Sequence, residues 1–553
     1  MRRDVFTFLV GGRAGQGVKK AGAVASRLFA HMGRQVFQMD DYQSLIRGGH
    51  NFSVVSTSRS EISSHYMKAD LVVALDERSR ELHSQHLRRN GLMICDADSL
   101  DEAQACGVSL TSEARKHPDP ELRYGVGAVA ALAAALGFGK ERLQEIITHE
   151  YSRDVDHNIA YASAIYDVAH PIVGDRFDLK EGDGERPLLY GNEAIALGAA
   201  AGGLDVYVAY PMTPSSSILH FLAAHDRDLG VAVVHPESEI AVANMAIGAA
   251  FAGARTMVGS SGGGFALMEE ALSLAGMAEA PLLCVLSSRP GPSTGVPTYT
   301  EQGDLNFALN QGHGEFPRIV ASPGGVEEAF YLAGELLNLA WEFQIPAILL
   351  TEKHLSESKT TVDIDVEQAL WPESAGYQGE ESAYCRYSDT EAGVSPPLFP
   401  PSSELIKWNS YEHDEKGVTT EEPAMVTRMH DKRARKRTHL ESFLKDVRTV
   451  NVYGEGETPI FTYGSTTLSV REAMAAGGIE AKVVQPVYLE PTPTSELRKH
   501  RKGNPIVVEL SSTGQFARFL TERCGIKPAH VITKYDGRPF DPDELAKRIK
   551  GVM

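Results

Sequence analysis

The chain has 553 residues, enough for about three or four domains at roughly 150 residues each. Hydrophobic residues make up 42% and charged residues 23%, a balance that excludes a disordered, coiled-coil or fibrous chain. With 54 Lys and Arg against 73 Asp and Glu, the net charge is −19; such a chain repels phosphate backbones, and nucleic acid is excluded as a partner.

Cysteine usage narrows the class further. Cys95, Cys106, Cys284, Cys385 and Cys524 are scattered, and none sits in a C-x-x-C pair. That argues against a zinc or iron–sulfur site held by this chain alone and for a reducing compartment. The apolar run VFTFLV near the start is too short for a signal peptide. The low-charge stretch GVGAVAALAAALGFG falls short of the ~20 residues of a membrane span. A cytoplasmic protein that does not enter membranes is expected.

Residues 1–175 alternate short apolar runs (DVFTFLV, RQVFQM, NFSVVST, ADLVVAL, GLMIC) with helical patterns, and an Ala-rich buried helix is predicted over 125–137. This is the rhythm of an open α/β sheet. The polar stretch DRFDLKEGDGERP reads as a linker. Over 188–355 the rhythm returns with LDVYVAY, VAVVH, RTMVGS, APLLCVLS, PRIVAS and IPAILLTE, whose continuous apolar character predicts a parallel sheet covered on both faces. Residues 356–438 read as an excursion ending in a solvated helix that carries the basic run DKRARKR. A further α/β unit, with strands TPIFTYGS, KVVQPVY, PIVVELS and AHVITKY, spans 439–553. The expected architecture is three open, mostly parallel α/β domains.

Several motifs compete for the chemistry. Gly11, Gly15 and Gly17 follow a strand with the spacing of a phosphate-cradling loop at a helix N-terminus. A hydride-transfer enzyme of the short-chain dehydrogenase kind would also need Tyr four residues before Lys, and none of the 19 tyrosines has that neighbour. Gly259-Ser-Ser261-Gly-Gly263 matches a nucleophile elbow, with Asp304 and His313 downstream as formal triad partners. Gly182-Asp183-Gly184 has the form of a diphosphate motif, but no strand precedes it and the next Asn, Asn192, comes too soon.

The middle unit is more informative. Four successive strands run into Pro211-Met-Thr213-Pro, Pro236-Glu237-Ser-Glu239, Ser261-Gly-Gly-Gly-Phe265 and Arg289-Pro-Gly. In a parallel sheet these ends share one edge, where ligands bind. A hydroxyl, a carboxylate, a glycine turn and an arginine would converge there. An enzyme subunit, a hydrolase at Ser261 and a nucleotide-dependent oxidoreductase at the N-terminal glycines all remain open on these residues alone.

The segments YPMTPSS, ESEIAVANMAIGAAFAGAR, SSGGGFALMEEALSLAGMAEAPLL and RPGPSTGVPTYTEQGDL resemble the α-subunit of 2-oxoacid:ferredoxin oxidoreductases, of the 2-oxoglutarate type. The likeness extends to YEHDEKG, KRARK, ELSSTGQFARFL and KYDGRPF. GGRAGQG and Ile46-Arg47-Gly48-Gly49 resemble the γ-subunit, here fused ahead of α. Met212 stands where the family usually has Ile, a near volume-conserving change, and Gly263 where Pro is usual.

The resemblance implies CoA-dependent oxidative decarboxylation of a 2-oxoacid with electrons passed to ferredoxin; pyruvate-type or branched-chain substrates are the alternative. It implies thiamine diphosphate shared with a β-subunit that carries Mg2+ and an iron–sulfur cluster, in an (αβ)2 heterotetramer. Glu239 would face N1′ of the aminopyrimidine as the catalytic carboxylate. Pro211, Thr213, Ser261, Gly262 and Phe265 would complete the cofactor site. Thr213 and Arg289 would hold the substrate 1-carboxylate, the guanidinium through a bidentate fork. Gly12, Gly15, Gln16, Gly17 and Arg47 would form a loop for coenzyme A or for docking. Glu237, two residues from Glu239, would point to nearly the opposite face of a shared helix.

Overall fold

The computed structural model describes residues 4–44, 49–99, 106–369, 376–380 and 383–553. Three open sheets of eight, seven and five strands carry these residues, as the strand rhythm implies. The first is parallel on one side, where Phe6–Arg13, Ala69–Ala74, Leu87–Asp96 and Cys106–Val108 pair in turn. Its other side is antiparallel: His50–Ser58 pairs with Phe6–Arg13, and Gln35–Asp41 pairs with His50–Ser58. Two short strands from outside this stretch of sequence, Lys359–Thr361 and Leu188–Tyr190, extend the same sheet. The helix Tyr124–Ala135 is buried against it as expected from its Ala-rich composition.

The middle sheet places strands in the spatial order Ile319–Ala321, Pro346–Glu352, Leu282–Ser288, Thr256–Ser260, Val206–Val208, Ala232–Val234, all parallel. Every residue of Leu282–Ser288 and of Pro346–Glu352 is buried, because helices cover both faces of a parallel sheet. Tyr488–Glu490 adds an antiparallel edge strand from the C-terminal part of the chain. The third sheet pairs Lys482–Pro486, Pro459–Phe461, Ile506–Glu509 and His530–Thr533 in parallel, with Val450–Tyr453 antiparallel at its edge.

The basic run corrects the reading of a solvated helix. Helix Pro423–Phe443 starts with Pro at its first turn, where no N–H is missed, and Glu422 accepts the Met425 N–H at 2.7 Å. Met429, Lys432, Arg433, Lys436 and Leu440 share one buried face, the spacing of an amphipathic helix whose inner stripe includes cations. Lys432 Nζ lies 2.7 Å from Glu279 Oε1, and Lys436 pairs with the same carboxylate. Arg433 forks onto Glu412, with Nη1 3.0 Å from Oε1. Burial alone pushes the Glu279 carboxyl up, but Lys436, Lys432 and Arg386 outweigh it and hold it well below the ordinary carboxylate range. The counter-charge comes from a turn distant in sequence, so hydropathy along the run gave no sign of it.

The segment after Arg289 ties the three sheets together. The Thr298 hydroxyl donates to Tyr42 O at 2.6 Å, reaching the first sheet. Thr300 N–H donates to Gly537 O at 2.9 Å and Gln302 N–H to Leu510 O at 2.6 Å, reaching the third. Among the described residues no helix is long and apolar enough to cross a membrane.

Candidate active site

Strands Leu282–Ser288, Thr256–Ser260, Val206–Val208 and Ala232–Val234 are neighbours in that order, so Arg289, Ser261, Thr213 and Glu239 emerge along one edge. The predicted convergence is therefore met by the topology.

Glu239 opens helix Glu239–Phe251, which Ser238 caps from an extended conformation with its hydroxyl 3.5 Å from the Ala241 N–H. The carboxylate is only 3% exposed, and a negative charge is favoured at that helix end. Ser260 Oγ lies 3.4 Å from Glu239 Oε1 and 3.9 Å from Met212 Sδ. Glu237 lies before the cap and outside the helix, and it is exposed. The two glutamates differ as expected, but the cause is the extended Ser238 between them rather than two faces of one helix.

Arg289 Nη1 donates to the Thr213 carbonyl at 2.7 Å, leaving the other guanidinium N–H groups for a ligand. Burial pulls the Arg289 proton affinity down while the Asp304 carboxylate nearby pulls it up. The turn bearing Thr213 is fixed from behind by Asn192, whose Nδ2 donates to Pro214 O at 2.8 Å. Pro211 is exposed at the edge. Ser261 Oγ is buried without a protein partner, and Gly262 begins the short helix Gly262–Leu267. Phe265 is fully buried and packs edge-on to Phe307 at 5.4 Å; it supports the turn from beneath, with its carbonyl held by Gln311 Nε2 at 2.7 Å. Sequence reasoning missed three members: Ser260, Gly264 and, as part of this site, Asp304.

The hydrolase triad does not assemble. Ser261 Oγ has no hydrogen-bond partner, His313 is exposed, and the Asp304 carboxyl stands against Gly262.

In the N-terminal loop, Gly15 and Gly17 have φ of 98° and 74°, conformations that favour glycine. Gln16 Oε1 accepts the Arg13 N–H at 2.7 Å and occupies the space beside Gly12, so part of the loop's donor capacity is used internally. Arg47 lies outside the described residues. The Gly182-Asp183-Gly184 segment packs on the turn at Gly33, with Gly182 N–H donating to Met32 O at 2.8 Å, and lines no site.

A parallel sheet with a buried carboxylate, a glycine turn and an arginine on one edge matches known families. The family model "Pyruvate flavodoxin/ferredoxin oxidoreductase, thiamine diP-bdg" matches residues 197–432, and "Pyruvate ferredoxin/flavodoxin oxidoreductase" matches residues 7–168. These define the class as an oxidoreductase. The 2-oxoacid:ferredoxin oxidoreductase subunit alpha of Saccharolobus solfataricus is 34% identical over 77% of this chain and 71% of its own length. That of Aeropyrum pernix (oxidoreductase 2) is 29% identical over 99% and 97%. The solved 2-oxoglutarate:ferredoxin oxidoreductase from Magnetococcus marinus, with 2-oxoglutarate, coenzyme A and succinyl-CoA bound, superposes with a TM-score of 0.90 at 28% identity, covering 100% of both chains. The chain belongs to the 2-oxoacid:ferredoxin oxidoreductase family, as an α subunit.

Proposed function

We propose that this chain, with its γ-like domain fused ahead of α, is the α subunit of a 2-oxoglutarate:ferredoxin oxidoreductase that converts 2-oxoglutarate and coenzyme A to succinyl-CoA and CO2. The observation that carries this reading is Glu239, a buried carboxylate at a helix N-terminus on the ligand-binding edge of a parallel sheet. The full-length likeness to the Magnetococcus marinus enzyme supports the substrate. A broader 2-oxoacid range is the second reading, favoured by relatives named for 2-oxoacids in general.

The residues present fit thiamine diphosphate. Ser261 Oγ is an orphaned buried hydroxyl, the adjoining Gly263 is exposed, and the Glu239 carboxylate lies against the glycine turn. Glu239, Ser261 and Gly262 would hold the pyrimidine half, with Pro211 at the rim. When bound, the cofactor supplies a nucleophilic carbon for the 2-oxo group and an electron sink for decarboxylation. Glu239 holds a proton at N1′ of the aminopyrimidine. Arg289, anchored on Thr213 O, orients the substrate 1-carboxylate, and Thr213 adds a directional hydroxyl.

A partner is required in this reading. Tyr210, Ile240, Met245 and Leu267, large apolar side chains on the elements that carry the site, are 37%, 55%, 47% and 50% exposed, as expected where a partner would cover them. A β subunit covering it would bring the diphosphate–Mg2+ half and, because the five cysteines of this chain are scattered, the iron–sulfur cluster. The assembly would be (αβ)2, in the cytoplasm, with ferredoxin as acceptor.

The test is expression of the chain alone and with its candidate β subunit, measuring iron, bound thiamine diphosphate and ferredoxin reduction with 2-oxoglutarate, pyruvate and 2-oxoisovalerate. Iron and CoA-dependent turnover should appear only in the complex, with 2-oxoglutarate preferred. Stoichiometric iron or tight cofactor binding by the isolated chain would overturn the two-subunit reading, and equal turnover of all three acids would favour the broader one.

A further inference from the structure

Successive carbonyls of the turn beyond strand Val206–Val208 accept from different sources. Met212 O takes the Ser215 hydroxyl at 2.9 Å and the Ser216 N–H at 3.1 Å, both from within the turn. The next two carbonyls are held from outside. Thr213 O accepts Arg289 Nη1 at 2.7 Å, and Pro214 O accepts Asn192 Nδ2 at 2.8 Å. Among the described residues, the last backbone bond from this chain to the sheet is that of the Ala209 N–H to Val234 O, 3.1 Å. Thr213 and Pro214 lie past it.

Asn192 is itself firmly placed. It is fully buried in the first turn of helix Gly191–Ala201, whose end Glu193 closes by accepting the Tyr190 N–H at 3.0 Å. Gly191 lies against the backbone of Leu355, where a Cβ would come within 2.0 Å of the carbonyl oxygen, and its N–H donates to Ser358 O at 3.2 Å. Leu355 follows strand Pro346–Glu352, in which Glu352 is the register partner of Ser288, next to Arg289. The contacts close a ring. It runs from Arg289 through two neighbouring strands to Gly191, through Asn192 to the turn, and from Thr213 O back to the guanidinium.

Both donors of the Asn192 amide are engaged, the second on Ser217 Oγ at 2.7 Å, whereas its Oδ1 finds no partner among the described residues. A buried acceptor without a partner costs stability, so what this amide contributes lies in its two donors, and both fix the turn.

We infer that Asn192 is a positioning residue for substrate capture: by tying Pro214 O to its helix it holds Thr213 O in place, and Thr213 O in turn aims the Arg289 guanidinium at the 2-oxoacid 1-carboxylate. The inference rests on the proposed role of Arg289. A guanidinium is a rigid plane, so a bond on one Nη sets the direction of its other N–H groups. A long side chain ordered in this way loses less freedom when the substrate arrives.

The test is a double-mutant cycle in the αβ holoenzyme, reading KM for 2-oxoglutarate and, by calorimetry, Kd for N-oxalylglycine, an unreactive isostere. Asn192→Ala should raise both about tenfold, the effect of one lost bond in a charged network, with kcat within about twofold of wild type. Exchange of the C2 proton of bound thiamine diphosphate should be unchanged, because Glu239 is untouched. In an Arg289→Lys background, where the bond to Thr213 O is already gone, Asn192→Ala should change KM and Kd by no more than about twofold. A tenfold effect that persists in that background overturns the inference, as do an unchanged KM in Asn192→Ala and a loss confined to kcat. Arg289→Lys alone separates the two readings: unchanged affinity there refutes the carboxylate role of Arg289, whereas weakened affinity with additive losses refutes only the role of Asn192. Should Asn192→Ala fail to assemble, as judged by melting temperature and subunit content, Asn192→Asp keeps the shape, replaces the donor and decides by the same cycle. Failure of both to assemble also overturns the inference, since Asn192 would then be required for folding itself.

Discussion

Gly264 and Glu239 are fitted to one another: a Cβ on Gly264 would overlap Glu239 Oε1 and stand 2.8 Å from its Cδ. The carboxylate keeps its place because the third residue of the glycine turn has no side chain. Ser260 closes the same space from the strand below.

Gly264→Ala should therefore displace the Glu239 carboxylate without disturbing the sheets. Overpacking at such a site costs about 1–3 kcal/mol, which a chain of this size tolerates. The expected outcome is a folded complex with a melting temperature close to wild type and 2-oxoacid turnover reduced by at least tenfold. Turnover at the wild-type level would show that the turn has room to move.

Glu239→Gln removes the charge while keeping the shape. A positioned acid–base group contributes about 10²–10⁴-fold, and 2-oxoacid-dependent ferredoxin reduction should fall by that order. Exchange of the C2 proton of bound thiamine diphosphate, followed by NMR, should slow in parallel. Glu237→Gln, altering an exposed residue ahead of the cap, should keep most activity. Equal losses in the two variants would contradict the assignment.

Arg289→Lys keeps a cation but loses the fork and the bond to Thr213 O. A loss of about 1–3 kcal/mol in kcat/KM is expected, mostly through KM. Ser261→Ala deletes a hydroxyl with no protein partner and should leave substantial turnover. Steady-state kinetics of both variants check the pair; abolished activity in Ser261→Ala beside a silent Arg289→Lys would restore the hydrolase reading.

Glu279 neutralises two buried lysines of the basic helix. Removing its charge leaves them unpaired, and a loss of about 3–5 kcal/mol is expected for Glu279→Gln at neutral pH. The folded-state carboxyl titrates below its unfolded value, so its stabilisation is present above the ordinary glutamate range and is lost as pH falls through it. Denaturant unfolding should show a constant gap between wild type and variant from pH 7 down to about pH 5, and a gap that narrows as pH falls on below the ordinary glutamate range. Parallel curves would mean that Glu279 carries no pH-dependent stability.

The sequence by itself determined most strands of the three sheets and the four strand-end motifs, because a continuous apolar run bounded by glycine or proline has few other solutions in a chain of this size; short strands such as Leu188–Tyr190, Lys359–Thr361 and Val450–Tyr453 were not among them. It also placed Thr213, Glu239, Ser261 and Arg289 at the ends of strands that share one edge, since parallel strands deliver their ends to one side, while the roles proposed for them came from the family resemblance. What lay between distant segments was not legible. The buried face of Pro423–Phe443 depends on Glu279, and the backbone on either side of Asp304 on Gln515, which bonds Gly303 O and the Asn306 N–H. The room for Glu239 depends on Gly264, and the separation of Glu237 from Glu239 on an extended Ser238. Each is a contact whose partner is named by no local periodicity. Such choices were decided only when the tertiary structure brought a charge, an amide or an absent side chain to the place where burial required it.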